Sequence, residues 1–521
     1  MNIGKLLTKS ARGFPQNLGL AHGTRKWTYA QFNTRANQLA NALQRLGVRP
    51  GDHVAVLMYN CPEMLETMFA GFKAGCGVVP INFRLHPKEC AYIIDHSQAK
   101  TVIFSPEFNQ AIADIRNDIP QAAHLIALAG AEGEFLDYET LLSAESEEFD
   151  DAEVACDDVA WLFYTSGTTG QPKGAMLTHR NLLAMSMSFY ADMCPDFGTS
   201  EVMLHAAPLS HGSGLYALPN VGKAAAHIFP ESKSFDPEQV LELIQQYRVT
   251  NMFAAPTMIK LLLDSPALEQ YDFSSMKALT YGGAPMLTED MLVAIEKLGP
   301  CLVQLYGQGE SPMTISYLCH QDHVTQGTPE QMQHLGSAGM ARTDVEIKIV
   351  DQDDKEYPSG QIGEIATRSD LVMKGYWRDP DASATALKNG WLHTGDVGYI
   401  DESGYLFLMD RSKDMIISGG ENIYPREIEE VLIQHPAVHE VAVVGVPDVQ
   451  WGEVVKAIVV LVPGKEADEA ELIYFCKDRI ASYKKPKSID FIDVLPKNNY
   501  GKILKRELRA KYWQGKQRNL V

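Results

Sequence analysis

Apolar and polar positions alternate at two spacings along the first hundred residues, which predicts helices and strands in turn. From Thr28 to Leu46 the apolar residues follow a helical period, with Thr28 as the N-cap and Gly47 as the stop. Further helices are expected at 62–74 and 87–96, and strands at 54–58, 78–81 and 101–104. Alternation of this kind predicts an α/β fold, with parallel sheets covered by helices.

The pattern changes to hairpins after about residue 340. The segments 345–350, 363–367 and 405–409 alternate like antiparallel strands. From residue 425 onward, helices and strands form a compact α+β unit of roughly a hundred residues, which suffices for a small domain. We therefore predict an N-terminal domain at 1–411 and a C-terminal domain at 412–521. The acidic segment 132–158 is expected to be a solvated connection.

Composition restricts the class of protein. With 521 residues and 45% hydrophobic content, the chain can bury more than one core. It contains no transmembrane segment, since no apolar run reaches roughly 18 residues. An N-terminus without an apolar signal core and eight cysteines without C-x-x-C spacing predict a cytoplasmic enzyme with reduced thiols. The formal charge of −20 argues against nucleic acid as a partner, although a nucleotide needs only a local basic pocket.

The segment 165–174 has the composition of a phosphate-binding loop and follows an apolar run at 159–164. It contains four hydroxyls, three glycines and one lysine, so backbone N–H groups, hydroxyls and a positive charge can converge on one anion. It differs from the G-x-x-x-x-G-K-[ST] pattern because Pro172 and Gly174 flank Lys173. A mobile surface linker is the alternative. The residues expected to bind phosphate are Thr165, Ser166, Gly167, Thr168, Thr169, Gly170 and Lys173.

Two more glycine-rich turns follow predicted strands, at 282–285 and 307–310. Open parallel sheets collect ligands at such strand ends, although glycine is also common there for geometry alone. The turn 208–214 carries one histidine, His211. Either a ligand contact or an ordinary hydrogen-bonded loop histidine explains it equally well.

Five segments in this order resemble the AMP-forming adenylating enzymes, the superfamily of acyl-CoA synthetases, firefly-type luciferases and peptide-synthetase adenylation domains. The segments are 165–174, 306–310, 394–396, 411–429 and 501–502. The resemblance implies a large N-terminal domain of helix-covered parallel sheets plus a distorted β-barrel, and a small mobile α+β lid. It also implies ATP, Mg²⁺ and coenzyme A, and two half-reactions: a carboxylic acid and ATP give an acyl-adenylate, which a thiol then converts to a thioester.

The resemblance assigns roles to single residues. Lys502 is the catalytic lysine on the lid, with Glu310 and Lys173 as further catalytic groups, and Glu310 and Thr165 hold the metal. Tyr306 stacks on adenine, while Asp396 and Arg411 contact ribose. Lys413 is the hinge, and Gly419 and Gly420 leave room for the pantetheine arm of CoA. The remaining nucleotide contacts are Gly283, Ala284, Pro285 and Gly307, and the acyl pocket is expected among His211, Ser213, Gly214, Tyr281, Gly282 and Gly307.

The sequence departs from the family pattern at Gly309, where a threonine usually precedes the metal glutamate. We expect one donor to the α-phosphate to be missing and extra space near the reacting centre. The form of segment 418–425 resembles that of fatty-acid and aryl-acid CoA ligases, so we expect a medium- or long-chain fatty acid or an aryl, hydroxycinnamate-like acid. A carrier-protein-loading enzyme and a non-catalytic nucleotide-binding relative remain alternatives. The oligomeric state is open, with a homodimer among the possibilities.

Overall fold

The computed structural model describes residues 1–165, 171–193, 196–284, 286–411, 414–418, 421–497 and 502–514, except for the side chains of Asp410 and Arg411. Within these ranges the helices and strands belong to four sheets and the layers around them. Of the helices described, none combines the length and apolar character needed to cross a bilayer.

Helices and strands alternate through the first two thirds of the chain. The helices are α1 (Lys5–Gly13), α2 (Tyr29–Arg45), α3 (Pro62–Lys73), α4 (Pro87–His96), α5 (Asn109–Asp114), α6 (Tyr138–Ser143), α7 (His179–Ser188), α8 (Gly212–Gly222), α9 (Pro237–Tyr247), α10 (Pro256–Asp264), α11 (Thr288–Leu298) and α12 (Pro329–His334). The strands are β1 (Leu18–His22), β2 (Arg25–Thr28), β3 (His53–Leu57), β4 (Gly77–Pro80), β5 (Ala99–Phe104), β6 (His124–Ala127), β7 (Leu136–Asp137), β8 (Val159–Thr165), β9 (Lys173–Thr178), β10 (Val202–Leu204), β11 (Ala226–Phe229), β12 (Asn251–Ala254), β13 (Ala278–Tyr281), β14 (Leu302–Tyr306), β15 (Ser316–Leu318) and β16 (Met340–Ala341).

These strands form two mainly parallel sheets. One has the order β16-β15-β14-β13-β12-β10-β11-β1-β2, and the other has the order β7-β6-β5-β3-β4-β8-β9. The predicted alternation is confirmed, and so is the cap of α2, where Thr28 and Gln31 exchange side-chain-to-backbone hydrogen bonds in a capping box. The α/β fold class is therefore confirmed.

The sequence pattern missed strand β9. Residues 173–178 pair antiparallel with β8, from Thr165 opposite Lys173 to Val159 opposite Thr178, and α7 begins directly after them with Thr178 as its N-cap. Lys173 and Gly174 give this short strand little strand character. The consequence is that the phosphate loop joins two paired strands.

A third, antiparallel sheet follows. It consists of β17 (Glu346–Val350), β18 (Gly363–Arg368), β19 (Leu387–Lys388), β20 (Trp391–Ile400) and β21 (Leu406–Arg411), with helix α13 (Pro380–Ala386) beside it. This sheet forms a half-barrel and corresponds to the distorted β-barrel that the resemblance implied.

The C-terminal part has its own sheet. Its strands are β22 (Ile416–Ser418), β23 (Glu421–Ile423), β24 (Val438–Asp448), β25 (Gly452–Leu461) and β26 (Ser488–Phe491), and its helices are α14 (Pro425–Leu432), α15 (Glu469–Lys477) and α16 (Lys505–Ala510). Its apolar core includes Ile416, Ile428, Val443, Val459 and Leu472. The α+β character of this part matches the prediction, whereas the boundary between 411 and 412 stays a prediction.

The expectation of a solvated acidic connection at 132–158 is wrong in two places, because α6 buries Tyr138, Leu141 and Leu142 and because the Asp151 side chain is also buried. Asp151 forms an ion pair of 3.1 Å with Lys73, whose side chain is fully buried, and the Lys73 ammonium also donates to Thr8 Oγ1. Burial lowers the pKa of Lys73, although the Asp151 carboxylate opposes that shift. The segment therefore compensates a buried charge at the end of α3.

Replacing Asp151 by alanine should destabilise the protein strongly. The Lys73 ammonium would remain buried without its carboxylate, which typically costs about 3–5 kcal/mol. Urea unfolding of Asp151→Ala measures the loss. The neighbouring Asp150→Ala is the matched control, because Asp150 is exposed. Equal stability of the two variants would show that the pair does not support the fold.

Candidate active site

Glu310 is the meeting point of three separate chain segments. Its carboxylate Oε1 accepts a hydrogen bond of 2.7 Å from the Tyr376 hydroxyl and one of 3.4 Å from Thr165 Oγ1. Thr165 ends β8, Glu310 lies in the turn after β14, and Tyr376 follows β18. The backbone reinforces the junction, since Met373 N–H donates to the Glu310 carbonyl. The structure thus brings together Thr165 and Glu310, the two residues predicted to hold a metal.

Lys173 stands at the start of β9 beside the same tyrosine. Its ammonium lies 5.2 Å from the centroid of the Tyr376 ring and 3.6 Å from Asp379 Oδ2. Tyr376 forms an isolated β-bridge with Ala175, and its backbone N–H donates a hydrogen bond to Ser383 Oγ. A cavity of about 340 Å³ lies next to Lys173 and Asp379. It is lined by Tyr92, His96, Gln171, Pro172, Lys173, Trp377 and Asp379.

A second cluster surrounds Asp396 on β20. Asp396 Oδ2 accepts hydrogen bonds from the Tyr306 hydroxyl at 2.8 Å and from Gln308 Nε2 at 2.6 Å. Gln308 also donates to the Thr394 carbonyl, and Thr394 Oγ1 accepts from the Asp396 N–H. The predicted adenine and ribose residues therefore share one hydrogen-bonded group.

Gly309 does not open space, contrary to the expectation from the sequence. A Cβ at position 309 would lie 2.4 Å from Thr165 Cγ2 and 2.8 Å from Phe163 Cδ1, closer than side-chain carbons pack. The volume is already filled by the threonine methyl and the phenylalanine ring. The absence of a side chain at 309 thus accommodates β8, which approaches the turn closely.

His211 faces an aromatic neighbour. Its ring lies edge-on to Phe163, with centroids 4.9 Å apart and planes at 64°, and its Nδ1 is 3.2 Å from Ser210 Oγ. Burial lowers the pKa of His211 to about 3, so the imidazole is neutral at physiological pH.

The other predicted acyl-pocket residues are tightly packed. Helix α8 begins at Gly212, so Ser213 and Gly214 lie in its first turn, where the sequence pattern had indicated only a bend. The buried Ser213 hydroxyl is 2.7 Å from His205 Nδ1, and the Tyr281 hydroxyl is 3.0 Å from His323 Nε2. Backbone or side-chain atoms would block a Cβ at Gly214, Gly282 and Gly307. Their assignment to the acyl pocket stays a prediction.

Several predicted site residues lie wholly or partly outside the described residues. These are Ser166, Gly167, Thr168, Thr169, Gly170, Pro285, Lys413, Gly419, Gly420 and the side chain of Arg411. The backbone of Arg411 pairs with Asp396 across β20 and β21. Gly283 is exposed with a φ of +82° and Ala284 is half-buried. Lys502 is half-buried and precedes Ile503, which forms a β-bridge with Lys497.

The chemistry of the Glu310 cluster fits a magnesium ion held mainly by substrate. Neither described hydrogen bond to the carboxylate uses Oε2, so this oxygen can serve as a hard ligand. The described residues include no group of three or more His, Cys, Asp or Glu side chains suited to a metal. One carboxylate plus phosphate oxygens is the usual arrangement for Mg²⁺ on a nucleotide.

Comparison with known proteins identifies the family. A family model described as AMP-binding enzyme matches residues 7–377, and one described as AMP-binding enzyme C-terminal domain matches 427–502. The chain belongs to the AMP-binding enzyme family. This confirms the adenylating superfamily and the enzyme class predicted from the motifs, an AMP-forming acyl-CoA synthetase.

Relatives match over nearly the whole length. A feruloyl-CoA synthase of an Amycolatopsis species is 40% identical over 512 residues, which cover 98% of this chain and 99% of the relative. A fatty acid–[acyl-carrier-protein] ligase of Streptomyces coeruleorubidus is 34% identical over 499 residues, 94% of this chain and 92% of the relative. The structure of an anthranilate CoA ligase in complex with anthranoyl-AMP superposes with a TM-score of 0.89 at 28% identity, covering 98% of this chain and 97% of that one.

Removing the Tyr376 hydroxyl should weaken the Glu310 site. Tyr376→Phe deletes a hydrogen bond to a carboxylate, a contact typically worth about 1.5–3 kcal/mol. We expect a loss of about tenfold or more in kcat/KM for ATP and a higher magnesium concentration for half-maximal rate. Tyr474→Phe is the control, since Tyr474 is 68% exposed. An unchanged magnesium dependence in Tyr376→Phe would contradict this role.

The lowered pKa of His211 predicts a pH-dependent stability. The histidine of the unfolded chain takes up a proton below about pH 6.5, whereas in the fold it does so only near pH 3. The unfolded state therefore gains stability as the pH falls. Between pH 7 and 5 the free energy of unfolding should drop by about 1–2 kcal/mol more in the unaltered protein than in His211→Gln.

Urea unfolding at several pH values measures this difference. His320→Gln serves as the exposed control and should retain the full pH dependence. A His211→Gln profile parallel to that of the unaltered protein would show that the ring is not held neutral.

Proposed function

We propose that this protein is an ATP-dependent carboxylic acid–CoA ligase for aryl or hydroxycinnamate-like acids, within the broader class of fatty-acid and aryl-acid ligases. The proposed reaction is supported mainly by two hydrogen-bonded groups that share the turn 306–310. One joins Thr165, Glu310 and Tyr376, and the other joins Tyr306, Gln308 and Asp396. The acyl class is supported by the similarity to a feruloyl-CoA synthase and to an anthranilate CoA ligase.

In this proposal the Asp396 group binds the nucleoside. The Asp396 carboxylate offers acceptor oxygens to neighbouring ribose hydroxyls, and Tyr306 lies beside adenine, with Gly283 and Ala284 on the other face. The hydrogen bonds from Tyr306 and Gln308 fix the carboxylate before the nucleotide arrives. Because this acceptor is already ordered, binding of the nucleotide costs less free energy for ordering side chains.

Lys173 and the preceding loop hold the β- and γ-phosphates in the first half-reaction. The substrate carboxylate attacks the α-phosphorus, and the bond to the bridging oxygen breaks so that pyrophosphate leaves. Magnesium, when bound, neutralises charge on the phosphate oxygens, and Glu310 with Thr165 would hold it. Lys502 bridges the carboxylate and the α-phosphate. The cavity lined by Lys173, Gln171 and Pro172 is our candidate place for pyrophosphate.

The second half-reaction needs a thiol at the acyl carbon. Residues 412–521 act as a lid that turns at Lys413, and Gly419 and Gly420 leave room for the pantetheine arm of CoA. The thiolate sulfur forms the bond to the acyl carbon, and AMP leaves with the electron pair of the broken C–O bond.

A second candidate is transfer of the acyl group to a carrier protein. The similarity to a fatty acid–[acyl-carrier-protein] ligase supports this second candidate. Both candidates share the adenylation step and differ only in the thiol that accepts the acyl group.

Incubation with ATP, Mg²⁺, CoA and a panel of carboxylic acids tests the proposal. We expect AMP release that depends on both CoA and an aryl or hydroxycinnamate-like acid, with formation of the thioester. Acid-dependent hydroxamate formed in hydroxylamine, without a CoA thioester, would favour the carrier protein. Highest kcat/KM with acetate or propionate would overturn the acyl class.

Lys502→Ala should separate the two half-reactions. Loss of a positive charge at the α-phosphate is expected to slow adenylation by about 10²–10³-fold. Thioester formation from supplied acyl-adenylate and CoA should remain within a few-fold of the unaltered rate. Lys477→Ala, at an exposed position of α15, is the control. Equal loss of both steps in Lys502→Ala would contradict its assignment.

A further inference from the structure

One face of strand β8 runs from the phosphate end of the site toward His211. Trp161, Phe163 and Thr165 are alternate residues of this strand and share that face. Thr165 contacts Glu310 at one end, and Phe163 meets the His211 ring next to it. Phe163 therefore lies between the predicted metal carboxylate and the predicted acyl pocket.

Phe163 and Gly309 fit each other. The phenylalanine ring is almost fully buried, and its Cδ1 lies 2.8 Å from the place where a Cβ at 309 would stand. The Thr165 methyl is also too close to that place, so any side chain at 309 would have to displace both the ring and the methyl. The glycine thus lets an aromatic ring occupy this part of the wall.

We propose that Phe163 is a specificity-determining residue of the acyl site, where its ring and His211 form an aromatic wall that favours acids with a conjugated carboxyl group. The inference rests on the proposed function and narrows its substrate class. Because the reacting carboxyl group must reach the α-phosphate near Glu310, the carbons next to it pass this wall. A flat, conjugated chain can stack on or meet an aromatic ring edge-on, whereas tetrahedral carbons pack less closely there.

Ferulate and dihydroferulate make a matched substrate pair. They share the ring and the chain length and differ only in the double bond next to the carboxyl group. Acid-dependent exchange of pyrophosphate into ATP reports adenylation alone, without the thiol step. The ratio of kcat/KM for ferulate to that for dihydroferulate then measures the contribution of conjugation.

Phe163→Leu should lower this ratio by about three- to tenfold, because the aromatic contact is lost while an apolar side chain remains. The KM for ATP should change by less than about twofold. Phe104→Leu, a buried core change in β5 of the same size, should leave the ratio unaltered. An unchanged ratio in Phe163→Leu, or an equal fall in Phe104→Leu, would overturn the proposal.

Gly309→Ala provides a second variant, whose added methyl would press on both the Phe163 ring and the Thr165 methyl. The added methyl should displace Phe163 and lower the ratio, and combining it with Phe163→Leu should lower the ratio by less than the product of the two single effects, because the sites are in contact. Independent, multiplicative effects of the two substitutions would contradict the proposed contact between positions 163 and 309. If the unaltered protein shows no acid-dependent exchange at all, the proposed function itself fails, a result distinct from exchange with an insensitive ratio.

Discussion

The hydrogen bond from Tyr376 to Glu310 is the contact on which the site depends most. It joins the segment after β18 to the turn after β14, and Thr165 adds the end of β8 to the same oxygen. The turn after β14 and the end of β8 belong to the two mainly parallel sheets, and Tyr376 bridges to Ala175 of β9, so the position of the carboxylate depends on how these two sheets pack together. Hydrogen bonds to a charged group are also among the stronger contacts in proteins.

Much of this arrangement could be predicted from sequence. The periodicity of residues 28–46 indicated α2 and its cap, and the glycine-rich turns were correctly placed after β13 and β14, although their role as ligand sites stays a prediction. The reason is that these signals are local: a cap, a period or a turn depends on residues within a few positions. The order of the motifs then indicated the family, which the comparisons confirm.

Contacts between distant segments could not be predicted in the same way. Tyr376 and Gln308 complete the two clusters, yet nothing near them in sequence marks Tyr376 as a partner of Glu310, sixty-six positions away. Strand β9 was missed because its pairing with β8 outweighs the weak strand preference of Lys173 and Gly174. Gly309 looked like extra space because its neighbours Phe163 and Thr165 are remote in the chain.

The pairing of Asp396 with Arg411 also has a mechanical consequence. Arg411 is the last residue of β21, so the chain leaves the third sheet at the residue whose backbone pairs with Asp396. A rigid rotation about this point has almost no lever arm at Asp396 and a long one at the far strands of the C-terminal sheet. If the C-terminal part turns as proposed, the groups around Asp396 would therefore move far less than the far strands of the C-terminal sheet.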